Sequence, residues 1–305
     1  MSVGLELVQL LDDRSGAQLP LLVFYPSSGP AKPVRLGPFE LQVAAAGDVV
    51  PGSHPLVLIS HGSGGSPATH RELACHLAAA GFVVGVPEHP FNNRTDNSRA
   101  ESLQLLADRP HHLRLVADWF FQSRHAPWLV PDRYSIIGHS LGGYTALAAA
   151  GGVPSSLPHE SADRLVHRIP VTPDARVQAL VLLAPATPWL RLPGALRSVE
   201  VPISMIASYH DFQAPYFYLC QLVLDGVPDP SKVDYRLVEH AGHYSFLSPW
   251  PDALRSPAIP PSLDPPGFER RPFLDQLYAD ITSFLKRHTG EAASATVAAA
   301  DPQRK

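Results

Sequence analysis

A serine flanked by glycines is the residue with the clearest potential for chemistry. Ser140 lies in Gly138-His139-Ser140-Leu141-Gly142-Gly143, between an apolar run at Tyr134 to Ile137 and a helical run at Leu141 to Ala150. A G-x-S-x-G pattern at a strand-to-helix junction is typical of a nucleophile on a sharp, strained turn, where larger side chains at the glycine positions would clash. The pattern predicts Ser140 as the nucleophile. The alternative is a serine that only caps a helix.

A glycine-rich turn supplies a second element that acyl transfer needs. His61-Gly62-Ser63-Gly64-Gly65 directly follows the apolar run Leu56 to Ser60. Backbone N–H groups in such a turn stabilise the oxyanion of a tetrahedral intermediate. We predict the N–H groups of Ser63 and Leu141 as the oxyanion-hole donors, with Gly64 as the alternative to Ser63. The turn lacks the glycine spacing of a dinucleotide site and the G-K-[ST] of a P-loop.

A histidine near the end of the chain is the candidate base. When a serine nucleophile sits on this kind of turn, the chain order is nucleophile, acid, histidine. His243 follows Gly242, which lets the chain turn, whereas His240 still belongs to the end of the preceding apolar run. We therefore predict His243 rather than His240 as the general base.

The candidate acid is Asp211, which directly follows the apolar run Ile203 to Ser208. Open α/β sheets bring functional groups to the carboxyl ends of their strands. A carboxylate there accepts a hydrogen bond from the histidine ring and stabilises the imidazolium. The alternatives are Glu239, Asp225 and Asp234.

The elements that must position these residues alternate between short apolar runs and helical stretches. This order is typical of βαβ units and a mostly parallel sheet. The predicted strands are Leu5 to Leu11, Leu19 to Tyr25, Leu56 to Ser60, Phe82 to Val86, Tyr134 to Gly138, Ala179 to Leu183, Ile203 to Ser208 and Tyr235 to Glu239. The predicted helices are Thr69 to Ala80, Pro110 to Phe121, Leu141 to Ala150 and Pro272 to Arg287. The first two strands read as an antiparallel hairpin at the edge of the sheet.

One domain at 1–288 accounts for this pattern, with a disordered tail at 289–305. Three segments rich in Pro, Gly and Ser interrupt the alternation, near 26–54, 152–174 and 250–271. Long insertions in a compact fold are typically functional loops or lids, or else surface decoration. Within the second insertion, Glu160 to Ile169 is predicted as a short lid helix.

The composition and charge of the chain indicate which kinds of binding partner are expected. The 305 residues include 45% hydrophobic and 17% charged residues, with a net charge of −4. Without a basic stripe, nucleic acid is not an expected partner. No apolar run approaches the roughly 20 residues of a membrane helix, so no membrane association is expected.

The N-terminus lacks a signal peptide pattern, which favours the cytoplasm. No metal or other cofactor is expected, because the histidines lack ligand spacing. The oligomeric state is left open.

Aromatic residues after strand ends are candidates for a small-molecule acyl pocket. Trp189 and Tyr244 are the predicted substrate-binding residues, with core packing as the alternative for each. The loop at 88–96 carries Asn92, Asn93 and Arg94, which are candidates for polar contacts with substrate.

These motifs resemble those of a known family. The chain resembles the dienelactone hydrolase-like branch of the α/β-hydrolases in Ser60-His61-Gly62-Ser63-Gly64-Gly65, Gly138-His139-Ser140-Leu141-Gly142-Gly143, Asp211 with Pro215, and Gly242-His243-Tyr244-Ser245-Phe246. It is also similar to the platelet-activating-factor acetylhydrolases around the first two motifs and Glu88-His89. The resemblance spans roughly Leu5 to Leu285. It implies an α/β-hydrolase fold with a mostly parallel central sheet, an antiparallel N-terminal edge and helices on both faces.

Two departures limit what the resemblance implies. Dienelactone hydrolases have a cysteine nucleophile where Ser140 stands, so their lactone substrate does not carry over. In the acetylhydrolases the acid follows the preceding strand, where Leu183-Ala184-Pro185-Ala186 offers no carboxylate. We predict a serine hydrolase that cleaves a carboxylic ester through an acyl-enzyme. The alternatives are an amidase or peptidase, a thioesterase or an acyltransferase with the same triad, and a non-catalytic binding protein of this fold.

Overall fold

A ten-stranded β-sheet runs through the protein, and the computed structural model describes residues 2–289. The strands are β1 (Ser2–Leu11), β2 (Gln18–Ser27), β3 (Lys32–Leu36), β4 (Phe39–Ala45), β5 (His54–Ser60), β6 (Val83–Pro87), β7 (Leu129–His139), β8 (Val177–Leu183), β9 (Ile203–His210) and β10 (Val233–Gly242). Their order across the sheet is β10-β9-β8-β7-β5-β6-β2-β1-β4-β3. The helices are α1 (Arg71–Ala79), α2 (Leu103–Gln122), α3 (Leu141–Ala149), α4 (Tyr216–Gly226) and α5 (Arg270–Thr289).

The six strands from β10 to β6 pair in parallel, whereas β2 pairs antiparallel with both β6 and β1. The predicted mostly parallel sheet with an antiparallel N-terminal edge is therefore confirmed. The predicted hairpin of β1 and β2 also forms, with Leu5 opposite Phe24.

Strand β5 shows how the core is divided between the two faces of the sheet. All of its residues are buried. Leu56 and Leu58 belong to the apolar cluster that contains residues of α2 and α3, and Val57 and Ile59 belong to the cluster that contains residues of α1 and α5. Successive side chains of a strand point to opposite faces, so a strand covered by helices on both faces is apolar throughout.

The first Pro-rich insertion, near 26–54, contains an antiparallel pair of strands, β3 and β4. The sequence analysis predicted no strands here. Pro33 obscured the pattern, but β3 is the last strand of the sheet, and an edge strand tolerates proline. Strand β4 pairs in parallel with β1, where Gly4 lies opposite Ala44. The insertion therefore extends the sheet.

The lid helix predicted for Glu160 to Ile169 is wrong. The segment has one 3₁₀ turn, Pro158–Glu160, and no helix from 161 to 170. Its backbone bonds to side chains instead: the N–H of Leu157 donates to Glu160 Oε2 at 2.7 Å, and the N–H of His167 donates to Ser156 Oγ at 2.9 Å. Such local bonds compete with helix formation.

Helix α2 begins at Leu103 rather than at Pro110, because its interior tolerates the proline. Proline lacks an N–H, so the carbonyl four residues earlier, that of Leu106, loses its helical donor. Tyr144 Oη on α3 donates to this carbonyl at 2.8 Å. The bond satisfies the carbonyl and joins α2 to the helix that follows Ser140.

Helix α5 ends at Thr289, so this residue is helical rather than part of the predicted tail. The rest of that tail, 290–305, lies outside the described residues. No helix within residues 2–289 is long and apolar enough to cross a membrane.

Candidate active site

Ser140 lies between β7 and α3 in a strained backbone conformation, with φ 55° and ψ −119°. A non-glycine residue with positive φ costs energy and is retained where its surroundings fix it. Here the N–H of Ser140 donates to the carbonyl of Leu183 at 3.0 Å, and the carbonyl of Ser140 accepts from the N–H groups of Gly143 at 2.8 Å and Ala186 at 2.9 Å. The predicted sharp strand-to-helix turn is thus present.

The two glycines of the motif are required by close backbone contacts. A Cβ on Gly138 would lie 2.1 Å from the carbonyl oxygen of Gly142, and a Cβ on Gly142 would lie 2.0 Å from that of Ser60. Neither contact is possible for a side chain. Gly142 in particular lets α3 begin directly against the end of β5, where the second glycine-rich turn starts.

His243 and Asp211 are hydrogen-bonded, with 2.7 Å between His243 Nδ1 and Asp211 Oδ2. Both side chains are buried, and His243 lines the same cavity as Ser140. A carboxylate on Nδ1 fixes the tautomer that leaves Nε2 as an acceptor. The structure therefore pairs the predicted base with the predicted acid and places the base in the cavity that the predicted nucleophile also lines.

Asp211 is held by its own loop as well as by His243. Its Oδ1 accepts from the N–H groups of Gln213 at 2.9 Å and Ala214 at 2.7 Å, and its Oδ2 accepts from Ser208 Oγ at 3.1 Å. Burial acts to raise the pKa of Asp211, but the bonds from His243 and the two N–H groups outweigh burial and hold the pKa below its usual value. The group is therefore an anion next to His243.

The residues considered as alternatives to His243 and Asp211 lie outside this hydrogen-bonded pair. His240 is exposed and has φ 59°, in an irregularity of β10 between Val238 and Gly242. Of the rival acids, Glu239 is exposed, and Asp225 accepts a hydrogen bond from Gln221 at 2.7 Å.

The glycine-rich turn after β5 faces the same cavity. The N–H of Gly65 donates to the carbonyl of Gly62 at 3.1 Å, and Gly64 has φ 60°. Within residues 2–289 the N–H groups of Ser63 and Leu141, the two predicted donors, have no hydrogen-bond acceptor. Leu141 is the first residue of α3, where N–H groups have no partner within the helix. Both groups are thus available to a ligand.

His139 is a residue of the site that the sequence analysis missed. It lines the cavity, and its Nε2 lies 2.9 Å from the carbonyl oxygen of His243. Burial, with a smaller effect of His243, lowers the pKa of His139 to about 3. A neutral ring that donates from Nε2 holds the backbone of His243. The pattern G-x-S-x-G leaves this position unspecified, so the motif gave no signal for it.

A cavity of about 600 Å³ lies over Ser140. Its walls come from the β3–β4 turn, the turn after β5, the His243 loop and the third insertion, and its lining includes Leu36, Phe39, Thr69, Arg94, Gln213, Tyr244, Leu247, Trp250, Leu254, Ile259 and Pro261. The walls are mainly apolar. Among the described residues, Arg94 is the one arginine or lysine that lines the cavity, and no carboxylate residue lines it.

Of the two predicted substrate-binding residues, only Tyr244 lines the cavity, where its Oη donates to Gln213 Oε1 at 3.2 Å. Trp189 does not line the cavity. Its ring packs edge-on against Tyr144 with 5.2 Å between centroids, and its indole N–H donates to Glu160 Oε1 at 2.9 Å. Trp189 follows a strand end, but its partners hold it against the core.

The third insertion, near 250–271, covers the cavity, whereas no residue of 152–174 lines it. Arg270, buried at the start of α5, anchors this cover. Its side chain donates to Asp264 Oδ1 at 2.7 Å and to the carbonyls of Pro261 at 2.9 Å and Leu263 at 2.8 Å. A buried guanidinium with several acceptors fixes an otherwise irregular segment.

One group within the described residues has the proximity of metal ligands: Asp12, Asp13 and His111, in and beside the β1–β2 turn. None of them lines the cavity. His111 Nε2 lies 2.7 Å from Asp13 Oδ1, so these groups bond to one another.

Structural comparison identifies the class of fold. A ferulic acid esterase from Streptomyces cinnamoneus superposes with a TM-score of 0.65 and 17% identity, over 99% of this chain and 94% of that one. A dienelactone hydrolase from Anabaena variabilis superposes with a TM-score of 0.54 and 16% identity, over 93% of this chain and 99% of that one. The chain therefore has the α/β-hydrolase fold, as predicted. No protein-family profile and no curated protein matches the sequence.

Buried histidines around the site should make the fold sensitive to acid. Burial holds the pKa of His70 and of His89 well below the usual value, and lowers the pKa of His61 to about 3. Below about pH 6.5 the unfolded chain binds protons at these residues and the folded protein does not, so the free energy of unfolding falls as the pH falls.

His70→Phe tests this, because neither ring nitrogen of His70 has a partner within the described residues. From pH 6 to pH 4 the variant should lose about 1.4 kcal/mol less per pH unit than the wild type, the value for one proton. Urea unfolding at several pH values gives the slopes. His159→Gln, at an exposed residue, is the control. Equal slopes for His70→Phe and the wild type would contradict the prediction.

Proposed function

We propose that the protein hydrolyses carboxylic esters through an acyl-enzyme on Ser140, with His243 as the base and Asp211 as the acid. The observation that carries the proposal is the 2.7 Å bond between His243 Nδ1 and Asp211 Oδ2, in a cavity that Ser140 also lines. The strained turn at Ser140 and the unoccupied N–H groups of Ser63 and Leu141 support it. The names of the two structural neighbours, an esterase and a hydrolase, agree with this activity.

In the proposed mechanism His243 Nε2 takes the proton of Ser140 Oγ as this oxygen attacks the ester carbonyl carbon. The N–H groups of Ser63 and Leu141 stabilise the oxyanion. His243 then gives its proton to the leaving alcohol oxygen, and the C–O bond breaks to leave an acyl-enzyme. Water, which gives a proton to His243, attacks the acyl carbon; the bond from this carbon to Ser140 Oγ then breaks, His243 returns the proton to Ser140 Oγ, and the acid is released. Asp211 stabilises the imidazolium in both steps.

Fluorophosphonate labelling tests the nucleophile. The phosphorus centre reacts with an activated serine hydroxyl beside an oxyanion site, so the wild type should form a covalent adduct on Ser140. Mass spectrometry of the tryptic peptides locates the adduct. Ser140→Ala should remain unlabelled, and Ser135→Ala, at a buried serine of β7, is the matched control that should label normally. An adduct at another residue, or labelling of Ser140→Ala at the wild-type level, would refute the assignment.

Substitution of the acid tests the rest of the triad. Asp211→Asn keeps the shape but presents an amide that favours the wrong tautomer of His243. In serine proteases with a Ser-His-Asp triad the corresponding change lowers kcat about 10⁴-fold, and we expect a loss on the order of 10³ to 10⁴ here. Asp225→Asn, in α4 and remote from His243, is the control. If Asp211→Asn kept more than about a tenth of the wild-type kcat, the acid would be misassigned.

The lining of the cavity favours esters with an apolar acyl group and a negative charge, because Arg94 faces no carboxylate residue there. The guanidinium also lies 5.8 Å from the ring centroid of Trp250. We therefore expect Arg94→Ala to lower kcat/KM about five-fold for a p-nitrophenyl monoester of a dicarboxylic acid, a loss typical of one partly exposed ion pair. The neutral methyl-capped diester should change less than about two-fold.

Arg35→Ala is the control for charge, since Arg35 is exposed on β3 and does not line the cavity. Equal effects of Arg94→Ala on the charged and the neutral ester would contradict a role in anion recognition.

A further inference from the structure

Arg109 on α2 is fully buried, and no carboxylate of residues 2–289 lies within 4 Å of its guanidinium. Burying a charge without a counter-ion is costly unless its donors are all satisfied. Burial lowers the pKa of Arg109 to about 9, so the group is still a cation near neutral pH. The free-energy cost of burying this charge indicates that Arg109 has a specific role.

The guanidinium makes four hydrogen bonds to residues around the site. Nη1 donates to Asn92 Oδ1 at 2.6 Å, and Nη2 donates to Ser60 Oγ at 3.2 Å and to the carbonyl of His61. Nε donates to Thr145 Oγ1 on α3 at 3.0 Å. One planar group with fixed donor directions therefore joins the end of β5 to the helix after the nucleophile.

Each branch continues to a residue that carries a proposed oxyanion donor. Asn92 Nδ2 donates to Ser63 Oγ at 2.9 Å, and Thr145 Oγ1 donates to the carbonyl of Leu141 at 2.9 Å. Ser63 and Leu141 belong to segments far apart in the chain, and their relative position decides whether their N–H groups converge. Donors of an oxyanion site act only when they are held in place before the reaction.

We propose that Arg109 is the positioning residue of the oxyanion site, which fixes the turn at 61–65 against the start of α3. The inference rests on the proposed function, because it assigns the role of holding the two donors in that mechanism. Arg109 itself does not touch the reacting atoms.

A chain of neutral groups leads from Arg109 to the carboxylate of Asp12. Ser60 Oγ accepts from Arg109 and lies 2.9 Å from His89 Nε2, and His89 Nδ1 lies 3.2 Å from His112 Nδ1. His112 Nε2 faces Asp12 Oδ2 at 3.7 Å. A carboxylate cannot donate, so with neutral rings His112 presents its Nε2 proton to Asp12, His89 Nδ1 donates to His112 Nδ1, and Ser60 Oγ donates to His89 Nε2.

This direction fixes the tautomers: His89 carries its proton on Nδ1, and His112 carries its proton on Nε2. Burial, opposed by the nearby carboxylate of Asp12, lowers the pKa of His112, and burial together with the charge of Arg109 keeps the pKa of His89 well below its usual value. Both rings are therefore neutral, and the aligned dipoles link the buried cation to a buried carboxylate.

The test compares Arg109→Met, Arg109→Lys and the control Arg114→Met, which changes an arginine of the same helix that makes none of these contacts. Titration with a fluorophosphonate gives the concentration of active sites that react with this probe. Per titrated site, kcat on a small acetate ester should fall about 100-fold in Arg109→Met, as for loss of one oxyanion donor, with KM changed less than about three-fold. Arg109→Lys keeps the charge but not the fork, so it should recover only part of the loss.

A boronic acid, which forms a tetrahedral adduct with an active serine, provides a readout that a general loss of stability would not change. Its Kd should rise in Arg109→Met by about the same factor as kcat falls. If kcat per titrated site and this Kd both match the wild type, Arg109 only stabilises the fold and the proposal is wrong.

Two further variants keep the proposal testable if Arg109→Met does not fold. Asn92→Ala and Thr145→Val each cut one branch, and each should lower kcat about tenfold, a part of the loss for a whole donor. Wild-type kcat in both would overturn the proposal.

Hydrogen exchange separates the two proposals. Peptides covering 60–66 and 140–145 should exchange faster in both branch variants than in Arg114→Met. If the wild type neither labels at Ser140 nor hydrolyses esters, the proposed function fails, and exchange alone then decides the positioning role. Unchanged exchange would refute that role.

Discussion

The site depends on one close approach, between the carbonyl of Ser60 at the end of β5 and Gly142 at the start of α3. A Cβ at Gly142 would lie 2.0 Å from this oxygen, so only glycine permits the contact. Strands β5 and β7 are parallel neighbours, with Ser60 opposite Gly138, and their carboxyl ends therefore meet at one edge of the sheet. The contact puts a turn that offers N–H groups beside a strained serine.

The polar groups beneath this contact explain why the surrounding core is unusually rich in histidine and arginine. Two irregular turns next to a sheet leave carbonyl and N–H groups that neighbouring strands cannot satisfy, and buried polar groups need partners. Arg109 serves the carbonyl of His61 and the side chains of Ser60 and Asn92, while His139 serves the carbonyl of His243. The cost of the arrangement is that several imidazoles must stay neutral in the folded protein.

Sequence alone could predict the parts of the molecule whose signals are local. The strands of the parallel sheet are short apolar runs, and the predicted nucleophile, base and acid each follow such a run, so their convergence followed from topology.

Strands β3 and β4 were missed because Pro33 and the glycines around them are typical of a loop. The start of α2 was missed because Pro110 leaves the carbonyl of Leu106 without its helical donor. The hydrogen bond that replaces it comes from Tyr144, which is 38 residues away in the sequence. Trp189 was assigned to the pocket from its position after a strand, but its partner Glu160 lies in an insertion whose path the sequence did not define.

Different parts of the fold position the catalytic residues and the cavity wall. Ser140, His243 and Asp211 each directly follow a strand of the sheet, where register fixes their positions, whereas part of the cavity wall comes from the segment 250–271. This segment contains no β-strand. Arg71 packs over Phe39, with 3.7 Å between the guanidinium carbon and the ring centroid, and also donates to the carbonyl of Pro249; Arg270 holds the segment from the other side. Because side-chain contacts of the two arginines, rather than strand pairing, hold this segment, its part of the wall does not depend on the register that fixes the catalytic geometry.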